Sequence, residues 1–199
     1  MEEPSMEAFL LALLPRVLPE NCSFRVHPFK SKQDLLRKLV KRLRGYHRWL
    51  PPDWRIVVLV DRDLQDCQEL KVELEDTALS SRLPTRSRPG GDAWRVVNRV
   101  VIEELEAWYF GDWEAVQAAY PRVSPRIPRQ APYRDPDAIR GGTWEAFERI
   151  LQRHRYYKGG LKKVEAARTI GEHIDPARNC SRSFTVFFDV LVEAVGGPS

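Results

Sequence analysis

Two aspartates one residue apart, Asp61 and Asp63, are the first side chains in the sequence that could do chemistry. They follow the apolar run 56–60, whose length and composition predict a strand buried on both faces. Carboxylates at the end of such a strand can turn toward one point and offer the hard oxygen ligands that Mg²⁺ and Mn²⁺ take in proteins. We therefore predict a divalent-metal site here, although an aspartate at a strand end also serves as an ordinary helix cap.

Further carboxylates follow a second apolar run, the valine-rich residues 94–102, which also predicts a strand. Glu103, Glu104 and Glu106 come at its end or soon after it. Functional side chains of parallel α/β sheets gather at the carboxyl ends of the strands, so Glu106 is predicted to reach the same edge as the aspartates. Catalysis or metal binding is the functional interpretation of Glu106. The alternative is a glutamate in a first helical turn, which the helix dipole favours.

Two cationic positions late in the chain are candidates for phosphate contacts. Lys158, between two tyrosines and two glycines, could bring its ammonium group to a scissile phosphate. Arg182, flanked by Ser181 and Ser183, could contact a phosphate at a helix N-terminus. The alternatives are an ordinary surface lysine and a plain serine cap.

Positive charge is concentrated in two stretches, although the net charge is only +4. The first covers residues 30–55 and the second residues 149–168, while acidic residues dominate 61–76. Basic surface around an acidic spot is typical of a polyanion bound over a metal, and the alternative is a set of solvated helix faces. The residues predicted to bind nucleic acid are Lys38, Lys41, Arg42, Arg44, Lys162, Lys163 and Arg182.

The composition is that of a soluble globular protein of 199 residues, with 43% hydrophobic and 30% charged residues. No apolar run is long enough for a membrane span, and the N-terminal residues do not predict a secretory leader. The three cysteines are an odd number without a CxxC pair, which argues against a disulfide framework and against a structural zinc. We therefore expect a cytoplasmic protein without membrane contact.

Apolar periodicity predicts an α/β fold with a mostly parallel central sheet flanked by helices. The predicted core spans residues 1–120, a Pro/Arg-rich loop residues 121–141, and a C-terminal helical region residues 142–199. Pro15 is expected to end or kink the first helix. Strands are predicted at 22–29, 56–60 and 94–102, and helices at 4–14, 31–50, 64–79, 112–119, 143–153, 160–173 and 183–195.

The carboxylates resemble those of the Toprim domain of topoisomerases, primases and overcoming-lysogenization-defect (OLD) nucleases. In that domain one strand ends in a glutamate and a later strand ends in an Asp-x-Asp pair. Glu2 matches the glutamate, and Asp61 and Asp63 match the pair. Glu3 stands where a glycine is usual, which is a departure from the pattern.

Over nearly its whole length the chain is similar to the Toprim-like family catalogued as domain of unknown function 4276. The resemblance lies in residues 2–7 (EEPSME), 32–36 (KQDLL), 59–63 (LVDRD), 104–108 (ELEAW) and 181–184 (SRSF). Members of this family resemble the nuclease half of OLD-type systems, and many are thought to be encoded beside an ABC-type ATPase.

These resemblances imply an activity, ligands and a partner. They imply that Glu2, Asp61 and Asp63 bind Mg²⁺ or Mn²⁺, that Glu2 also takes part in acid–base catalysis, and that a late lysine such as Lys158 assists cleavage. The implied reaction is hydrolysis of phosphodiester bonds in nucleic acid, DNA rather than RNA, by the nuclease subunit of an antiphage defence module. Because the sequence has no GxxxxGK[ST] motif, the ABC-type or AAA ATPase of such a module would be a separate chain.

Two other functions stay open. The first is a non-catalytic nucleic-acid-binding or scaffold subunit that keeps the Toprim fold, and the second is phosphoryl transfer on RNA or a nucleotide. Homo-oligomerisation is open as well. No predicted strand precedes Glu2, so either translation starts upstream or the sheet lacks the edge strand that would hold Glu2 in place. In the first case, an upstream extension of about ten residues, one strand with its lead-in, is expected to raise stability and metal affinity.

Overall fold

The computed structural model describes residues 3–61, 66–89, 94–101 and 104–196. Its two strands are β1 (Ile56–Asp61) and β2 (Val96–Val101). The helices are α1 Pro4–Val17, α2 Lys32–Trp49, α3 Cys67–Ser80, α4 Leu105–Gly111, α5 Trp113–Ala119, α6 Thr143–Arg153, α7 Lys163–Gly171 and α8 Arg182–Ala194, with short 3-10 helices at Ile127–Arg129, Ala131–Tyr133 and Pro136–Ala138. In these residue ranges, no helix is long and apolar enough to cross a membrane.

The two strands form a parallel sheet, which confirms the predicted α/β class with flanking helices. Ile56 pairs with Val96 and Asp61 pairs with Val101, so the strands start and end together. Helix α3 lies between them in the chain, as a parallel crossover requires. The carboxyl ends of β1 and β2 therefore lie at one edge of the sheet.

The strand predicted at residues 22–29 is wrong, because this segment has no strand structure. An apolar groove of about 810 Å³ is lined by residues of this segment and of β1. Paired strands lie only about 4.8 Å apart, which leaves no room for such a groove between them. Phe24 and Val26 instead pack, partly buried, against the main hydrophobic core.

Local capping explains where several helices begin and end. The hydroxyl of Ser31 accepts a hydrogen bond from the N–H of Asp34 at 3.2 Å and caps α2 at the predicted start of this helix. The carboxylate of Asp112 caps α5 in the same way, again at the predicted start. Pro15 does not end α1, which continues to Val17. In the last turn of a helix, proline removes only one backbone hydrogen bond.

Helix α4 escapes prediction from the sequence, because its seven residues are all buried. A helix buried on every side lacks the apolar–polar periodicity of a surface helix. Its Trp108 packs against Phe184 and Phe187 with ring centroids 5.3 and 4.9 Å away, and donates an indole hydrogen bond to Ser183 at 2.7 Å. This packing holds in place the helix that carries Glu106.

The first helix and the C-terminal helices share one core. A Cβ atom added to Gly171 in α7 would lie 2.9 Å from the carbonyl oxygen of Phe9 in α1, so the glycine lets the two helices approach closely. Arg16 donates hydrogen bonds at 3.0 Å to the carbonyl oxygens of Gly171 and Ile174. The division of the chain after residues 120 and 141 stays a prediction.

Candidate acidic site at the carboxyl edge of the sheet

The strand register brings carboxylates from two parts of the sequence to one edge. Asp61 is the last residue of β1 and pairs with Val101, the last residue of β2. Glu104 and Glu106 follow β2, as the N-cap and in the first turn of α4. The structure thus places Asp61 and Glu106 where the sequence predicts them, and their metal-binding or catalytic roles stay predictions.

Glu106 lies in surroundings that disfavour its charged form. It is only 4% exposed. Burial raises its pKa to about 7 against the opposing charge of Lys163, and the negative charges of Glu104 and Glu3 add to the rise. A carboxyl group with a pKa near neutrality can accept and release a proton at physiological pH.

Tyr109 lies one helical turn after Glu106 and is 1% exposed. Among the residues that the structure describes, its hydroxyl has no hydrogen-bond partner. Burial raises the pKa of this phenol, and the nearby Glu106, Tyr120, Asp61 and Glu3 raise it further. Three carboxylates, those of Glu106 in α4, Asp61 in β1 and Glu3 at the start of α1, therefore raise the pKa of one buried hydroxyl.

Lys32 belongs to this edge, although sequence reasoning does not select it as a site residue. It is the first residue of α2, is 7% exposed, and donates from Nζ to the backbone carbonyl of Asp61 at 3.0 Å. A buried ammonium group beside Asp61 adds positive charge to an otherwise acidic edge. In the sequence, Lys32 differs from the exposed cations further along α2 by its position directly after the Ser31 cap, at the start of the helix.

Glu104 has a structural role. Its carboxylate accepts hydrogen bonds from the hydroxyl of Thr143 at 2.8 Å and from the N–H of Trp144 at 3.0 Å. The N–H belongs to the first turn of α6, where backbone donors lack partners within the helix. Glu104 therefore caps α6 from a distant part of the chain, and Glu106 is the glutamate of the pair that is left for chemistry.

Lys163 supplies a cation beside Glu106. Its ammonium lies 4.7 Å from the centroid of a Trp144 ring, a cation–π contact, and its charge opposes the rise in the Glu106 pKa. Lys158 is exposed in the turn between α6 and α7. The catalytic role predicted for Lys158 stays a prediction, while the structure places Lys163, which the sequence predicts to bind nucleic acid, close enough to Glu106 to affect its pKa.

Glu2, Asp63 and Glu103 lie outside the described residues. Within the described ranges, no three His, Cys, Asp or Glu side chains are grouped so that they could hold a metal ion. The predicted metal therefore depends on Glu2 and Asp63 joining Asp61, and stays a prediction. A divalent cation at this edge would stabilise the anionic form of a carboxyl such as Glu106.

The cations of α2 that are predicted to bind nucleic acid differ in their surroundings. The ammonium of Lys38 donates to the carboxylate of Asp34 at 2.8 Å, and this bond is the main reason why the pKa of Asp34 falls to about 2. Lys41, Arg42 and Arg44 are exposed. These three side chains leave a positive face on α2 that a polyanion can reach.

The second set of predicted phosphate contacts has partners within the chain. Lys162 lies 3.2 Å from the carboxylate of Glu165. At the start of α8, the carboxylate of Asp137 accepts hydrogen bonds from the hydroxyl of Ser181 at 2.8 Å and from the N–H of Arg182 at 2.6 Å. A carboxylate of the protein thus lies where a phosphate was predicted, which favours the capping interpretation of this helix end.

Comparison with known proteins places the chain in a family. No curated protein and no solved structure matches it. The model of a family described as a domain of unknown function, DUF4276, matches residues 1–192. This match confirms the family resemblance expected from the sequence, whereas the likeness to Toprim and OLD nucleases stays a prediction. The chain belongs to the DUF4276 family.

Proposed function

We propose that the protein is a divalent-metal-dependent nuclease that cleaves phosphodiester bonds in nucleic acid, with DNA as the preferred substrate. The observation that carries this proposal is the buried Glu106, whose pKa burial raises to about 7, at the same sheet edge as Asp61. Metal-assisted hydrolysis needs carboxylates that can hold ions and take up a proton.

The proposal assigns roles to the three predicted metal ligands, to Glu106 and to Lys163. Asp61, Asp63 and Glu2 hold Mg²⁺ or Mn²⁺, an ion that neutralises phosphate charge and makes water more acidic when bound. Burial raises the pKa of Glu106 to about 7 in the metal-free protein. A bound ion would favour its anionic form, which can accept a proton from the attacking water. Lys163 contacts a phosphate oxygen of the substrate from its place beside Glu106.

The groove beside β1 supports a Toprim-like fold, which we propose as the finer description of the sheet. A strand in a packed sheet occupies about 4.8 Å by 10 Å by 3.3 Å per residue, or roughly 160 Å³. The groove of about 810 Å³ therefore has room for roughly five extended residues. A Toprim-like sheet that lacks one edge strand would leave such a space beside β1.

We further propose that the protein works in the cytoplasm with a separate ABC-type or AAA ATPase in an antiphage defence module. The family resemblance supports this partner, as does the lack of a GxxxxGK[ST] motif in the chain itself. In such a module the ATPase would control when the acidic edge meets DNA.

The nuclease proposal is tested by incubating the purified protein with supercoiled plasmid and Mn²⁺, alone and with the neighbouring ATPase. We expect nicking that Asp61→Asn lowers at least about 100-fold, since the variant loses a charged ligand. Asp53→Asn, at an exposed position away from the edge, is the matched control and should cleave as the wild type does. Intact plasmid under all conditions, with no effect of Asp61→Asn in vivo, would exclude the nuclease function.

The alternative is a non-catalytic subunit that binds nucleic acid, and the exposed Lys41, Arg42 and Arg44 of α2 favour it. Its sign would be metal-independent binding that weakens steeply with salt. Replacing all three cations by alanine should then reduce the slope of log affinity against log salt by about 3. Binding of this kind with no cleavage would replace the nuclease proposal.

A further inference from the structure

The hydroxyl of Tyr109 is a buried polar group that has no partner in the described part of the protein. Tyr109 is 1% exposed, so bulk water does not supply the missing hydrogen bond. An unsatisfied buried hydroxyl lowers stability, and phenylalanine would avoid this cost. In native proteins such a group calls for an explanation, for example an ion or an ordered water at a functional site.

Neighbouring rings hold the Tyr109 side chain in place. Its ring centroid lies 5.9 Å from that of Phe9 and 5.3 Å from that of Phe147. Helix α4, which carries it, is buried along its whole length. The hydroxyl therefore cannot swing out to solvent without disrupting the core, and its partner must come to it.

The charges around the hydroxyl indicate the kind of partner. The carboxylates of Glu106, Asp61 and Glu3 all act on the phenol. A hydroxyl group can donate a hydrogen bond to a carboxylate and accept one from water at the same time. A divalent cation such as Mg²⁺ that is held by few carboxylates keeps several of its waters, so a hydrated cation at this edge would bring a water to the hydroxyl.

We propose that Tyr109 positions a hydrated divalent cation at the acidic edge. Its oxygen accepts a hydrogen bond from a water of the ion. This inference rests on the proposed metal site and does not require cleavage. Tyr109 is thus a positioning residue that acts through water.

The test compares wild type with Tyr109→Phe in Mn²⁺ titration calorimetry, and compares their thermal unfolding without metal. Groups that support a metal site from behind its ligands contribute about 10-fold or more to metal affinity, so Mn²⁺ binding should weaken at least about 10-fold. The metal-free variant should unfold at the same temperature as wild type or above it, because an unsatisfied hydroxyl is removed.

Tyr120→Phe is the matched control. Tyr120 is also buried, at 5% exposed, but its hydroxyl lies 2.9 Å from that of Tyr157. Its removal should lower the unfolding temperature without metal and leave Mn²⁺ affinity unchanged. The two variants delete the same atom. They therefore compare the loss of a hydroxyl that has a partner within the protein with the loss of one whose proposed partner is a water of the ion.

Each other outcome overturns a stated part of the proposal. Equal Mn²⁺ affinity in wild type and Tyr109→Phe would remove the role of Tyr109 and leave the metal site in place. A metal-free Tyr109→Phe as destabilised as Tyr120→Phe would also overturn it. If the wild type binds no Mn²⁺, the metal site and the role of Tyr109 both fail. If binding weakens as expected but plasmid stays intact, only the nuclease function fails.

Discussion

Glu75 and Glu106 are two buried glutamates with opposite surroundings. They are 3% and 4% exposed, and each lies on a helix that follows a strand of the sheet. The carboxylate of Glu75 accepts hydrogen bonds from the hydroxyl of Thr85 and, at 2.9 Å each, from the amide of Asn98 and the ammonium of Lys71. The edge around Glu106 instead holds other carboxylates and an unsatisfied phenol.

The two pKa values move in opposite directions for this reason. Burial alone would raise both. At Glu75 the hydrogen bonds from Thr85, Asn98 and Lys71 outweigh burial and lower the pKa, whereas at Glu106 burial prevails and the pKa is about 7. A buried carboxylate with a full set of donors is a structural anion, and one without them stays available for a proton or a metal.

The largest expected effect is a loss of nicking activity in a Glu106 variant but not in a Glu75 variant. Glu106→Gln should lower the plasmid-nicking rate by about 1,000-fold, within the usual contribution of general acid–base catalysis. Glu75→Gln, assayed where it is folded, should cleave like wild type. Initial nicking rates with Mn²⁺ measure both, and an active Glu106→Gln would show that the Glu106 carboxylate has no catalytic part.

The second expected effect is on stability and falls on Glu75. Glu75→Ala should lower the free energy of unfolding by about 3 kcal/mol or more, because it leaves the buried donors of Thr85 and Asn98 without their acceptor and Lys71 without its ion-pair partner. Urea unfolding followed by circular dichroism measures the change. Glu73→Ala, an exposed position on the same helix, should change it by less than about 0.5 kcal/mol. A similar loss in both variants would contradict the structural role of the network.

The third effect is a pH dependence of opposite sign at the two sites. The raised pKa of Glu106 means that the folded state holds its proton between pH 4.5 and about 7 while the unfolded state loses it. Stability therefore falls as pH rises through this window, by up to about 3 kcal/mol. Glu106→Gln should remove the fall, so that it is more stable than metal-free wild type at pH 8 and equal to it near pH 4.

The lowered pKa of Glu75 acts in the other direction. Its stabilisation is present above the pKa of the unfolded chain and is lost as pH falls through the lower folded value. Urea unfolding of wild type and both glutamine variants from pH 4 to 8 compares the signs. The same sign at both sites would contradict the contrast in their surroundings.

The smallest expected effect removes one donor from the Glu75 network. Thr85→Val keeps the shape of a side chain that is 0% exposed and removes its hydrogen bonds with Glu75 and with the N–H of Arg88. It should cost about 1.5–3 kcal/mol, the range for a hydrogen bond to a charged group. Thermal unfolding measures it. Thr185→Val, at an exposed position of α8, is the control, and equal losses would mean that the hydroxyl of Thr85 contributes little to holding Glu75.

Local patterns in the sequence predict most of the elements. Residues 143–153 show the periodicity of a surface helix, and α6 has the same bounds. The strand that ends at Asp61 and the Ser31 cap of α2 are predicted for similar local reasons. Residues 22–29 are wrongly predicted as a strand, because a strand requires a partner at hydrogen-bonding distance. Helix α4 is not predicted, because full burial removes the periodicity of a surface helix.

The site is only partly predictable in this way. That Asp61 ends a buried strand follows from the order of residues beside it. The different roles of Glu104 and Glu106 do not follow from the local sequence. The donors to the Glu104 carboxylate belong to Thr143 and Trp144, which are 39 and 40 residues away. Which of two neighbouring carboxylates caps another helix depends on donors that the fold brings in from elsewhere.

The sequence by itself therefore determined the α/β class, the aspartate at a strand end and the positive helix α2, because helix periodicity, strand runs and caps are local properties. Only the tertiary structure decided that Asp61 and Glu106 share an edge, that Glu104 is a cap, and that the hydroxyl of Tyr109 has no partner among the described residues. Burial and hydrogen bonding set the pKa and the availability of such groups, and both come from residues that are distant along the chain.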